Sequence, residues 1–418
     1  MAAAGIDFGT TNSTAGVAQA GGVAMTKLGA ESLAAPTVLF FDGDAKSFAV
    51  GADADAALRG GAAGRYMRSL KTYLGRKDKV VTRLGGREYM LEDLIAVILS
   101  AFRAKLEATA GEAIDHVVMG RPVRFNDDDD ALDRRAQDRL EAAARAAGFN
   151  SVSFQYEPIA AALAYEATAT AEELIVVADI GGGTSDFSVI RVGPGRQKTD
   201  RRDDILGNHG AYIGGDNFDA SIIDAFVAPQ MGKGTLFRSM GKRLPFPVHY
   251  FTWLARWHLF NNLLERKNLN ELRSLLRVSE EPEKVGRLIE LAENQLFFEF
   301  SGLVESAKKA LSAADIATLN MDVFTDSFQL AIPRAEFEDN AEPLTGGIVH
   351  ALHETLRQAG TPPETVDKVF LTGGTTLVRA VKQGFVDVFG SSRIVHTDVF
   401  ASVGYGLARQ AMNWAPAA

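Results

Sequence analysis

Two short runs of the chain carry the residue types that phosphate chemistry needs. Gly5-Ile6-Asp7-Phe8-Gly9-Thr10-Thr11-Asn12 lies near the start, and Ala178-Asp179-Ile180-Gly181-Gly182-Gly183-Thr184-Ser185-Asp186 near the middle. Each reads as an apolar strand ending in Asp, a Gly/Thr-rich turn, and a second β-prone run, Ser13 to Ala18 or Phe187 to Val192. A loop that meets phosphate oxygens needs backbone N–H groups free to point inward and little Cβ bulk. Gly9-Thr10-Thr11-Asn12 and Gly181-Gly182-Gly183-Thr184 offer both. One such loop alone reads as readily as a plain turn. The pair says more, because Asp7 and Asp179 facing one another could hold a hydrated Mg2+ against the phosphates. Two carboxylates buried together without a cation would repel each other.

A third glycine-rich strand exit, Gly373-Gly374-Thr375-Thr376, follows the apolar run Val369 to Leu371. It leaves room for a flat base and ribose to approach the backbone; the competing reading is a tight turn. Other motifs carry less. Gly232-Lys233-Gly234-Thr235 has Gly where a P-loop needs Ser or Thr after Lys, and there is no G-x-S-x-G. Asp127 to Asp130 reads as a solvated acidic loop, and His350 with His353 lacks a third ligand at recognisable spacing.

The elements that must position these residues follow from the duplication. A strand-turn-strand device repeated at this distance is too widely spaced for a solenoid and suits two related α/β lobes, with the cleft between them. Lobe I is expected over residues 1–170, with helices at Leu91–Glu107 and Leu132–Ala147, the second closed by Gly148, and strand His116–Met119 between. Lobe II is expected over 171–398, opening at strand Leu174–Ala178 and carrying an aromatic and helical insertion at about 226–300. Within it Trp253, Trp257, Phe260 and Leu264 recur at helical spacing, either on a helix packed against the lobe or as an exposed partner site. Ser279-Glu280-Glu281-Pro282 then reads as the start of a helical tract reaching Leu311, about 45 Å if unbroken, with a break expected near Ser301-Gly302. Residues 399–418 are expected to form a helix returning to lobe I and a frayed tail.

Composition narrows the function classes. The 418 residues are 46% hydrophobic, enough for two cores, and 44 basic against 53 acidic residues leave a net charge of −9, which argues against nucleic acid or an acidic membrane as partner. No cysteine is present, so thiol nucleophiles, disulfides and cysteine-ligated zinc are excluded. No secretory signal or transmembrane stretch is read, so a cytoplasmic monomer is expected.

Taken together these motifs resemble the nucleotide-binding lobe pair of the seventy-kilodalton heat-shock chaperones, the DnaK-like family, a branch of the actin and sugar-kinase superfamily. Gly5 to Asn12 is similar to that family's first phosphate loop, Asp179 to Asp186 to its second and Val369 to Thr376 to its adenosine loop. Tyr156-Glu157-Pro158 through Tyr165 is similar to its interlobe helix, and Ile213-Gly214-Gly215-Asp216-Asn217-Phe218-Asp219 to another nucleotide-binding segment. Gly120-Arg121-Pro122, Phe154 to Pro158, the aromatic insertion and the ending Ser402 to Arg409 look most like the bacterial YegD-type subgroup. The resemblance implies an α/β protein of actin-like ATPase fold, two RNase H-like lobes around a nucleotide cleft. It implies ATP or ADP with Mg2+ as ligands, and K+ is admitted as a further ion.

It also implies roles. Lys71 matches the catalytic lysine that reaches the γ-phosphate and attacking water. Asp7, Asp179 and Asp186 match acids of the Mg2+ and water network, with Asp7 and Asp179 holding the ion through water. Glu157 matches the acid linking the lobes, and Thr10, Thr11 and Thr184 match hydroxyls lining the phosphates. Pro122 matches a proline relaying nucleotide state. Gly214, Gly215 and Asp216, with Glu305, Lys308, Lys309 and Ser312 on one helix face, match nucleotide-binding positions, as do Gly373, Gly374 and Thr375. Lys309 and Leu377 stand where the family commonly has Arg, which implies weakened base stacking. The family's apolar linker and peptide-gripping β-sandwich are not expected after Trp414. The expected function is a slow ATP hydrolase that switches conformation, with an unfolded client, a co-chaperone or an exchange factor as partners. A sugar-type small-molecule kinase and an actin-like filament protein are the rivals.

Overall fold

The computed structural model describes residues 2–60, 62–126, 129–166, 169–196, 201–396 and 402–413. It divides into two compact units. The first comprises 1–212, 350–374 and 385–418, and the second 213–349 and 375–384.

The first unit contains two sheets of one topology. In the first, Ala2–Asp7 runs antiparallel to Asn12–Gln19, which runs antiparallel to Gly22–Thr26; on its other side Ala2–Asp7 lies parallel to Ile114–Arg121, and that strand parallel to Ser151–Tyr156. In the second, Glu173–Ile180, Ser185–Val192 and Ile205–Ala211 form the antiparallel part, and Lys368–Thr372 and Ile394–His396 the parallel part. The register places Asp7 opposite Thr14 and Asp179 opposite Asp186 at corresponding ends of the two hairpins. The duplicated sequence device is thus a duplicated sheet, and each central strand is flanked on both sides, which is why Ala2 to Ile6 and Ile175 to Ala178 are buried without alternation.

Helices Leu91–Ala110 and Asp130–Ala146 cover the first sheet through Leu94, Ile98, Phe102, Leu140 and Ala144. The second starts two residues earlier than the pattern predicts, because Asp129 caps it, accepting from Ala131 N at 2.8 Å and Leu132 N at 3.1 Å. Its end follows the expected glycine stop: Gly148 takes φ +99°, with its N–H on Arg145 O and Phe149 N–H on Ala144 O. Asp127 and Asp128 lie outside the described residues.

Two helices of small residues join the sheets. Glu157–Glu166 presents Ala160, Ala161 and Ala162, and Ser402–Ala411 lies against it and against the first sheet. The approach is so close that a Cβ on Gly406 would sit 1.8 Å from Ala160 O, and one on Gly5 would sit 2.0 Å from Ala408 N.

The second unit departs from the sequence reading in two places. The stripe Trp253, Trp257, Phe260 and Leu264 is not one helix: His249–Ala255 stops at an extended Arg256, a short 3-10 turn Trp257–Leu259 follows, and Asn261–Leu264 is a separate turn. The fully buried side chains there are Tyr250, Phe251, Leu254 and Leu263, while Trp253 and Trp257 are half-buried. The long tract from Pro282 breaks at Asn294 to Leu296 rather than at Ser301-Gly302, giving Pro282–Glu293 and Phe297–Leu311. Gln295 sits at φ +55° with its N–H on Ala292 O, and Leu296 N–H reaches Leu291 O at 3.0 Å, a Schellman stop without glycine. Gly302 stays helical, with open space where its Cβ would be. Among the described residues no helix is long and apolar enough to cross a membrane.

The packing of Gly406 makes a prediction. Gly406→Val drives a side chain into backbone and should cost more than about 3 kcal/mol in denaturant unfolding. Gly183→Ala, whose Cβ would meet nothing within 4 Å, should stay within about 0.5 kcal/mol of the parent.

Candidate active site

Five charged side chains converge in the first unit. Asp7 ends the central strand of one sheet, while Asp179 and Asp186 face each other across the hairpin of the other. Glu157 opens the Glu157–Glu166 helix, where a carboxylate is favoured by the unpaired N–H groups of the first turn. Lys71 comes from a 3-10 turn, Leu70–Tyr73, entered through Ser69 in the left-handed region at φ +58°. That non-glycine residue at positive φ fixes where Lys71 emerges. The Lys71 ammonium donates to Glu157 Oε1 at 2.7 Å, with only 11% and 13% of the two side chains exposed.

Four carboxyl groups against one ammonium leave the cluster acid-rich. Burial pushes Asp7 up to about 8, helped by the charges of Glu157 and Asp179 and opposed by Lys71. Burial likewise raises Asp186 to about 7, with Asp179 adding to it and the Thr184 hydroxyl, which donates to Asp186 Oδ2 at 3.0 Å, resisting. Asp179 is raised by burial and then by Glu157. Burial by itself would lower the Lys71 pKa, but Glu157 and Asp7 outweigh it, so the group is held firmly cationic. A cavity opens onto these groups, lined by Glu157, Asp179, Asp186, Thr372 and the turn residues Pro122 and Val123.

The glycine loops stand beside the cluster. The second loop closes on itself through Gly181 N–H to Thr184 O at 2.9 Å, so the Gly182 and Gly183 segment forms its tip. A Cβ on Gly182 would lie 2.4 Å from Thr11 Oγ1, which places the two loops in contact and requires Thr11 to give way to any larger residue. Thr11 O in turn accepts from Thr37 N at 2.8 Å, anchoring the first loop, in which Gly9, Thr10 and Asn12 are half-buried to exposed. At the third strand exit Gly373 has φ +80°, and a Cβ on it would lie 2.9 Å from Asp179 Oδ1, so this chain segment runs directly past the acid cluster.

The donor set fits a hydrated cation. Among the described residues no group of three or more acidic or histidine side chains is placed to bind a metal directly. Asp7 and Asp179, buried beside further carboxylates that raise them, suit an ion held through its water shell.

The remaining sequence-predicted residues belong to the second unit. Gly214 precedes helix Gly215–Ile222 and donates its N–H to Asn217 Oδ1 at 2.9 Å. Asp216 Oδ2 accepts from Trp257 Nε1 at 2.9 Å. Lys308 is turned to that helix, donating to Asp219 Oδ2 at 2.8 Å and Gly215 O at 3.1 Å. Burial raises Asp219 to about 6 against the pull of Lys308. Glu305 and Lys309 form an exposed pair at 2.7 Å, Ser312 caps the same helix, and Leu377 is half exposed at the end of the turn Gly374–Leu377 that holds Thr375. The structure therefore unites Asp7, Lys71, Glu157, Asp179, Thr184 and Asp186 with the loops of the first unit, and places the Gly214 and Lys308 groups together in the second.

Sequence reasoning missed Ser188, Asn208 and Gly210 as site residues. Ser188 and Asn208 pair across neighbouring strands, Asn208 Nδ2 donating to Ser188 Oγ at 2.9 Å, and both line the cavity. No local signal marked them: their strands, Ser185–Val192 and Ile205–Ala211, carry other polar residues, and only the register sets these two beside Asp186. Gly210 lets its strand pass Asp186, since a Cβ there would lie 2.9 Å from Asp186 Oδ1.

The raised acids set a pH dependence. A carboxyl that keeps its proton to about pH 8 when folded and loses it near pH 4 when unfolded stabilises the fold at low pH. That contribution disappears as pH rises through this window. Asp7→Asn without nucleotide or Mg2+ should therefore raise the thermal midpoint by several degrees at pH 8, on the order of 1–3 kcal/mol. At pH 5 the change should already be smaller, and by pH 4, at the unfolded carboxyl's own pKa, close to zero; equal shifts at pH 4 and pH 8 would contradict the acid-rich account.

The chain matches the family model described as Hsp70 protein over residues 3–236 and 282–417. The match includes both glycine-rich strand-end loops, Lys71, Glu157 and the third strand exit, and leaves out 237–281. The members of that family are ATPases of chaperone type with an actin-like α/β fold. This chain belongs to the Hsp70 family.

Proposed function

We propose that the chain binds Mg-ATP and hydrolyses it slowly with water as nucleophile, using the event as a conformational switch, and that it is of the YegD type. The observation that carries the reading is the Lys71–Glu157 pair at 2.7 Å beside Asp7, Asp179 and Asp186. Mg2+, when bound, supplies charge neutralisation on the phosphate oxygens.

The chain's own residues do the rest. Lys71 stays protonated through the physiological range, so its ammonium presents positive charge to the transferring phosphoryl group. Glu157 holds that ammonium in place and, as the first residue of its helix, ties Lys71 to the element that links the two sheets. Asp186 is poised near neutrality and fixed by Thr184, which suits a group that accepts a hydrogen bond or proton from the attacking water. Backbone N–H groups of Gly9 to Asn12 and Gly182 to Gly183 face the phosphates, and Asp7 and Asp179 hold the ion's water shell. In this reading the Gly214 segment, Glu305, Lys308, Lys309, Ser312 and Gly373 to Thr375 serve the nucleoside. Loss of the γ-phosphate frees one set of loop contacts, which is the switch. The two sheets serve as cores of the two lobes, and clients with co-chaperones or exchange factors are the partners of this reading.

Lys71→Ala tests it. Single-turnover hydrolysis should fall by about 100- to 10,000-fold while ADP affinity stays within a few-fold. Hydrolysis at the parent rate would remove Lys71 from the chemistry.

A further inference from the structure

The segment left out of the family match is a folded part of the second unit with its own surface character. Residues 237–281 carry eight Lys or Arg against four Asp or Glu, in a chain of net charge −9. Leu236–Ser239 and Lys242–Pro245 form a hairpin that places Arg238 opposite Arg243 on one face. The chain returns along the first strand, with Arg238 N–H on Val278 O at 2.9 Å and Glu280 N–H on Leu236 O at 2.8 Å. Arg238, Arg243 and Arg277 thereby line one open groove with Val278, Ser279 and Glu280. The single carboxylate is shared, Glu280 meeting Arg243 at 2.5 Å and Arg238 at 3.5 Å, so the groove keeps an excess of guanidinium.

Apolar surface adjoins it. The hairpin turn is Met240-Gly241, both at positive φ (+50° and +76°), a turn for which Asn-Gly is the relaxed choice. Met240 occupies that strained position with its side chain fully exposed, and Val278, 41% exposed, lines the groove where its carbonyl accepts from Arg238 N–H. A large apolar side chain held in water on a strained turn flanked by Arg238 and Arg243 is a costly arrangement for a solvated surface and a suitable one for a partner.

We propose that this hairpin groove docks a short acidic, leucine-bearing peptide segment of a partner protein, its carboxylates on the arginines and its apolar residues on Met240 and Val278. Charge decides between anions. The body of the chain is acidic and repels a long polyanion, whereas a short segment meets only the basic patch. The inference does not rest on the ATPase reading, and binding alone tests it.

The probe is a fluorescein-labelled twelve-residue peptide of alternating Glu and Leu, titrated with the full chain and followed by anisotropy. It should bind, weaken steeply as salt rises, and lose at least about tenfold in affinity with Arg243→Gln combined with Arg277→Gln. Met240→Ser should weaken it by a smaller factor, with the circular dichroism and thermal midpoint of both variants unchanged. No binding, equal binding of a Lys and Leu peptide, or equal affinity of the arginine variant would overturn the proposal. So would tighter binding of single-stranded DNA of twelve nucleotides, which would make the groove a nucleic-acid surface.

Discussion

Everything in the first unit is arranged around the cost of placing Asp7, Glu157, Asp179 and Asp186 near one another with a single ammonium between them. Burial raises the pKa of Asp7, Asp179 and Asp186 toward neutral, and the neighbouring carboxylates, which Lys71 only partly offsets, add to it. A protein selected only for stability would replace such a cluster with apolar side chains. On the proposed function, a cation and a polyphosphate would complete the charge balance, and the instability of the free site would be the complement of its affinity for them.

The scaffold meets that constraint by repetition. Two sheets of one topology deliver Asp7 and Asp179 from corresponding strand ends, and the small-residue helices between them bring the sheets close enough for the glycine loops to touch. Gly406 against Ala160 lets two backbones meet, and Gly182 leaves room for the Thr11 side chain: in both places a missing side chain permits the contact. One contact shapes the ligand loop and the other holds the frame that positions it.

Much of this was legible in the sequence because strand, turn and glycine signals are local. The two Asp-to-Gly/Thr runs marked both hairpins, and Gly148 marked a helix end. What was illegible depended on tertiary context. The stop at Gln295 uses a residue with no special tolerance for positive φ, so nothing local announced it, while Gly302 looked like a break and was absorbed in a helix. The aromatic stripe from Trp253 to Leu264 had helical spacing but is interrupted at Arg256. Packing selected Tyr250, Phe251 and Leu254 for the interior, and left Trp257 to bind Asp216 through its indole N–H. Ser188, Asn208 and Gly210 became visible as site residues only when the register of three strands set them beside Asp186.

The central claim is that the acid cluster and its lysine act on a phosphate ester as a switch. Single-turnover cleavage of radiolabelled ATP by the purified chain with Mg2+, following free phosphate and retained ADP together, tests it most directly. The account predicts slow cleavage that requires Mg2+, with ADP held on the protein after phosphate appears. Tight binding of ATP with no cleavage would contradict it.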